Sequence, residues 1–219
     1  MRSSHPSTRQ LSLFATLFAV VACTAPAPSF SGNTSSPPST DMESRIAMGR
    51  RLVIGHACGE CHGGGDNPAA FGWLDGVRNP AIQEAKIGPF TTRPKNLTPD
   101  NMTGTGRFTE RQLFNAFRYG LRPEETPDVE ITSTVPGQGN FPLHPHYLAP
   151  PMPWPAWRNM SDEELYAIAA YLKNGLKPVQ HKVADSEGPP DFWASEYTVE
   201  KIGPYPVRTY PTANEKGGQ

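Results

Sequence analysis

Five consecutive residues, Cys58-Gly59-Glu60-Cys61-His62, constrain this chain more than any other stretch. Two thiols three positions apart are followed at once by an imidazole. This is the attachment pattern of a c-type haem. Each sulfur can add to one vinyl group of the porphyrin, so both must reach the same macrocycle edge from one helical turn. The histidine then brings a ring nitrogen to the iron from one face. Three other readings compete. A zinc site would need His144 and His146 as its second pair, but a His-Pro-His loop fits structural zinc spacing poorly. A thioredoxin-like redox pair belongs beside a strand-helix-strand unit, and no Val/Ile-rich strand precedes Cys58. A disulfide across two residues is strained unless redox-active, and it leaves His62 without a role. Only the haem reading uses all three residues; Glu60 between the thiols reads as a solvated spacer.

The 219 residues suffice for one domain or two small ones. Pro 25 and Gly 20 are high and hydrophobics at 37% are low, which predicts a loop-rich protein with a modest core that a covalent haem would help to fill. The N-terminus reads as an export signal over residues 1–22: Arg2 and Arg9 precede a 12-residue apolar core, Leu11 to Ala22, too short to span a bilayer. Ala22-Cys23 at its end resembles the lipobox of bacterial lipoproteins, with Val20 where a leucine is usual. The alternative is an ordinary signal peptide cleaved nearby, but the haem claims the other two cysteines and leaves Cys23 over, so the expectation is a lipidated Cys23 and a periplasmic, membrane-anchored protein. Residues 23–40, rich in Ser, Thr and Pro and without charge, read as a tether. Removing residues 1–22 leaves 18 Lys+Arg against 21 Asp+Glu, a formal −3. That excludes a basic nucleic-acid footprint.

Three capped helices are predicted. Thr40 and Glu43 have capping-box spacing, and Met42, Ile46, Gly49 and Val53 share one helical face. Gly49 on that apolar side marks a close helix crossing. Thr109 and Gln112 cap a second helix, with Leu113, Phe114, Ala116 and Phe117 on its apolar face and a stop at Gly120. Ser161 and Glu164 cap a third, Asp162 to about Asn174, with Met160 stapled to Leu165. Residues 63–108 and 121–151 read as irregular. Met152, stiffly presented among prolines, offers a soft thioether suited to haem iron. Met102, Met160, His144, His146 and His181 compete with it. The tail carries Phe192, Trp193, Tyr197, Tyr205 and Tyr210, which predicts packing over the body.

Together NLTPD (96–100), TGTGRFT (103–109), AFRYG (116–120), PPMPW (150–154) and MSDEELYAIAAYL (160–172) resemble a class I cytochrome c domain. They are most similar to those of the periplasmic cytochrome subunits of membrane-bound alcohol and gluconate dehydrogenases. The resemblance covers roughly residues 45–178. It implies an all-α fold: helices around one covalent haem c, with long irregular loops, in a domain spanning 41–178 and followed by an extension over 179–219. It implies thioether links at Cys58 and Cys61, iron ligands at His62 and Met152, and Gly49 crossing near Tyr171. It also implies a loop proline carbonyl bonding the other nitrogen of His62, for which Pro89 is the candidate. Those subunits carry three haem motifs and this chain one; residues 124–147 look inserted. The expected role is single-electron transfer from a dehydrogenase to an oxidase or cytochrome acceptor, not catalysis. The alternatives are a haem enzyme or gas sensor with a labile sixth ligand and His144 or His146 as distal group, and a structural lipoprotein with a vestigial haem.

Overall fold

The computed structural model describes residues 42–203 and 213–217, all within one compact unit, Pro38–Gln219. The expected signal, Cys23, the tether, Thr40, Tyr205 and Tyr210 lie outside the described residues.

Helix α1 (Met42–Gly55) buries Gly49 and Val53. Ala57, at φ 54°, turns the chain into α2 (Cys58–His62). A short helix α3 (Pro80–Gln83) leads to strands β1 (Ala85–Ile87) and β2 (Phe90–Thr92), which pair antiparallel with Ile87 opposite Phe90. The protein is mostly helical, in keeping with the all-α expectation, and this hairpin adds one small two-stranded sheet. Its sequence logic is local: β-branched Ile87, Thr91 and Thr92 flank Gly88-Pro89, and Gly88 supplies the positive φ (54°) a two-residue hairpin loop requires.

Helix α4 (Glu110–Tyr119) carries the Thr109/Gln112 capping box, and Gly120 closes it in the left-handed region at φ 70°. Trp154 of α5 (Trp154–Trp157) packs so closely there that a Cβ on Gly120 would lie 2.1 Å from its ring. Helix α6 (Asp162–Ala170) has the Ser161/Glu164 box and continues as a π-helical turn, Tyr171–Gly175. A further short helix, α7 (Val199–Ile202), lies in the tail.

Helices α1, α4 and α6 pack around one core that includes Val53, Trp73, Leu74, Leu113, Ile168 and Leu172. The α1–α6 crossing has no room for a side chain at Gly49. A Cβ there would sit 1.9 Å from the Ala167 carbonyl oxygen and 2.8 Å from Tyr171 Cβ. Phe114 of α4 stacks on Tyr166 of α6 at 4.3 Å, and Arg111 covers both rings. Replacing Ser161 with alanine should lower stability by about 1 kcal/mol, the usual worth of an N-cap side chain, read as a shifted denaturation midpoint.

Ile131 and Phe141 of the 124–147 stretch form a second, smaller core with Leu121. Buried Asn115 anchors it by donating to the Pro127 and Val129 carbonyls, both at 3.0 Å. The tail packs on the body as its aromatics implied. Trp193 meets Phe90 edge-on at 5.0 Å, and Tyr197 lies against Trp154 at 4.8 Å.

Candidate functional site

Helix α2 is one turn long, and its position depends on what braces it. Trp73 lies against it so closely that a Cβ on Gly59 would fall 2.4 Å from the indole. The Trp73 Nε1–H donates to the Tyr171 hydroxyl at 3.0 Å. The turn that carries the two thiols is thus tied to the end of α6.

His62 is 7% exposed. Its Nδ1 lies 2.7 Å from the Lys95 carbonyl oxygen. A carbonyl only accepts, so Nδ1 carries the proton and Nε2 keeps a bare lone pair. Burial lowers the His62 pKa, and the Lys95 bond opposes that only in part, so the ring is neutral at neutral pH. Its Nε2 is buried without a hydrogen-bond partner among the described residues. A buried nitrogen without a bond is costly, and in native proteins such an atom calls for a reason, such as a bound ion.

His62 and Cys61 line a cavity of about 1140 Å³. That is somewhat above the ~300–1,000 Å³ typical of ligand sites. Leu97, Phe108, Leu113, Phe117, Leu148 and Leu172 give it an apolar wall. Met152 lines the same cavity, held by a turn in which its N–H donates to the Ala149 carbonyl at 2.9 Å. Cys58 sits one turn back, half-buried against the core, and burial pushes its thiol up to about 11. Cys61 and Glu60 are exposed.

The competing ligand candidates are placed differently. Met160 packs against the core. Met102 lines the cavity but is 73% exposed. His146 lies 2.7 Å from Asp191 and 3.3 Å from Glu125, His181 Nδ1 bonds the Asp75 carbonyl, and His144 is exposed. None of these histidines lines the cavity. Among the described residues no three His, Cys, Asp or Glu gather as a metal-binding group.

An imidazole nitrogen without a partner, a thioether on the same apolar cavity, and two thiols on the adjoining turn are a donor set that could hold a haem. The histidine's acceptor is the Lys95 carbonyl, not that of Pro89, which faces the tail beside Gly188. Sequence reasoning read the turn at 96–100 without its upstream neighbour. It also missed how much of the cavity wall comes from the tail, including Lys182, Val183, Ser186 and Pro190.

No protein-family model matches the chain. Curated relatives share stretches of it. Over 115 residues (52% of this chain, 20% of the relative) it is 30% identical to the cytochrome c subunit of a quinone-dependent alcohol dehydrogenase from Gluconacetobacter polyoxogenes. Over 147 residues (67% and 24%) it is 26% identical to the fructose dehydrogenase cytochrome subunit of Gluconobacter japonicus. Over 94 residues (43% and 17%) it is 31% identical to the gluconate 2-dehydrogenase cytochrome c subunit of Pantoea cypripedii. The chain thus contains a region similar to dehydrogenase cytochrome c subunits, and it spans about a fifth of the length of these relatives.

Proposed function

We propose that this protein is an exported, single-haem c-type cytochrome that carries electrons from a dehydrogenase to a respiratory acceptor. Cys58 and Cys61 would hold the haem through thioether links, and His62 and Met152 would be the residues that ligate its iron. The observation that carries this reading is the buried His62 Nε2, without a partner among the described residues, on the same cavity as the Met152 thioether. Similarity to cytochrome c subunits of three dehydrogenases supports it.

When bound, the haem supplies a one-electron couple. The chain's own residues do the rest. Lys95 holds the proton on His62 Nδ1 and so presents Nε2 as the ligand atom. The Met152 turn offers sulfur, which favours a higher potential than a second imidazole would. Leu97, Phe108, Leu113 and Leu172 line the cavity with apolar surface that would pack against a bound haem. With His62 and Met152 both given to the iron, no open position would remain for substrate, so the bound haem would relay electrons and not catalyse a bond change. The export signal over 1–22, a lipid on Cys23 and the tether over 23–40 complete the proposal, and they would hold the domain at a membrane. Among the described residues no helix is long and apolar enough to cross one.

An optical redox titration of the purified protein tests the reading. One reversible one-electron transition is expected, with haem that resists acid–acetone extraction. In the Cys58→Ser/Cys61→Ser double variant all haem should become extractable. Haem lost from the unsubstituted protein under the same extraction would sink the proposal.

A further inference from the structure

Asn96 is 3% exposed, and its side chain spends all its hydrogen-bonding capacity on two segments. Its Nδ2 donates to the Val179 carbonyl at 2.7 Å and to Thr103 Oγ1 at 3.0 Å. Its Oδ1 accepts from the Thr98 backbone and hydroxyl at 2.9 and 2.8 Å. The neighbouring residue, Lys95, is bonded on two sides. Its carbonyl holds His62 Nδ1, and its Nζ donates to the Ala184 carbonyl at 2.9 Å. Val179 and Ala184 belong to the tail. The tail is fastened further by Val179 N–H to Thr98 Oγ1 and by His181 N–H to Thr103 Oγ1, at 3.1 and 3.0 Å. On its other edge the Lys95 segment is held by the body, through Val77 N–H to the Pro94 carbonyl and Leu97 N–H to the Leu74 carbonyl. The carbonyl that orients His62 therefore sits in a strip clamped between body and tail.

We propose that Asn96, with the tail strap over residues 179–186, is a positioning element that holds the Lys95 carbonyl on His62 Nδ1 and thereby tunes the potential of the iron that His62 binds. This rests on the haem reading above. A buried amide removed from such a network leaves its partners unpaired, so the strip loosens. A histidine that donates its second N–H to a carbonyl is the more basic ligand and favours the oxidised metal. Loosening the strip therefore raises the potential.

The test is a variant series of the full chain: Asn96→Ala, Thr103→Val and Lys95→Met, with Ser161→Ala as a control that weakens α6 without touching the strap. Two quantities are read: the midpoint potential, and the solvent exchange of the His62 ring N–H by NMR in the reduced protein. Asn96→Ala should raise the potential and speed exchange about tenfold. Thr103→Val and Lys95→Met should move both the same way by less, and Ser161→Ala should move neither. A folded Asn96→Ala with unchanged potential and exchange overturns the proposal. If that variant does not fold, unchanged values in both Thr103→Val and Lys95→Met overturn it. The exchange comparison repeated on the haem-free chain needs no bound iron. Exchange that responds in a chain that takes up no haem would refute the functional reading while leaving the clamp intact.

Discussion

Replacing Gly49 with valine is expected to destabilise the protein by about 4 kcal/mol, beyond the usual 1–3 kcal/mol of overpacking. The reason lies in what the new atoms would meet. The Cβ alone would lie 1.9 Å from the Ala167 oxygen and 2.5 Å from its carbonyl carbon, both backbone atoms of α6 that cannot rotate away. Helices α1 and α6 must separate, and the core between them, Val53, Ile168 and Leu172, opens with them. Alanine should cost less, about 2 kcal/mol, because it adds no γ-methyl groups to the clash and its better helix propensity returns about 1 kcal/mol. For a domain of this size the melting temperature should fall by roughly 8–16 °C for valine and 4–8 °C for alanine, followed by circular dichroism. A melting temperature unchanged by valine would mean that the crossing is not tight.

Replacing Met152 with alanine should leave the haem covalently attached through Cys58 and Cys61 while removing the thioether. Under the proposed ligation, the sulfur-to-iron absorption band disappears, carbon monoxide binds the reduced protein, and the potential falls on the order of 0.1 V, within the ≈0.8 V range that axial ligation spans. An unchanged band and potential would remove Met152 from the ligand set. Met102, the other thioether on the cavity, would then be the residue to substitute.

Local rules made much of the scaffold legible. The boxes at Thr109/Gln112 and Ser161/Glu164 form as their spacing predicted, because a cap satisfies its own backbone within four residues. Gly49 announced a crossing because glycine on an apolar helical face has few other uses, and the structure supplies the partner, Ala167. The hairpin at 85–92 was missed because each strand has only three residues, too few for alternation to register. The second core at Leu121, Ile131 and Phe141 was missed because its members lie ten residues apart on irregular backbone. Pro89 was chosen as acceptor because a family pattern asks for a proline carbonyl. Which carbonyl reaches His62 depends on the path of the whole 84–98 segment, and that path ends with Lys95 there.

By itself the sequence determined what is local: two thiols and an imidazole on one turn, a methionine stiffened by prolines, and helices that begin and end at their caps. Tertiary structure alone decided which distant groups meet. It left His62 Nε2 without a partner among the described residues, brought Met152 to the cavity that His62 lines, and laid the tail across the strip that carries the Lys95 carbonyl. Caps and motif spacings depend on neighbours a few residues apart. Val179 meets Asn96 across 83 residues, and no periodicity records a contact of that span.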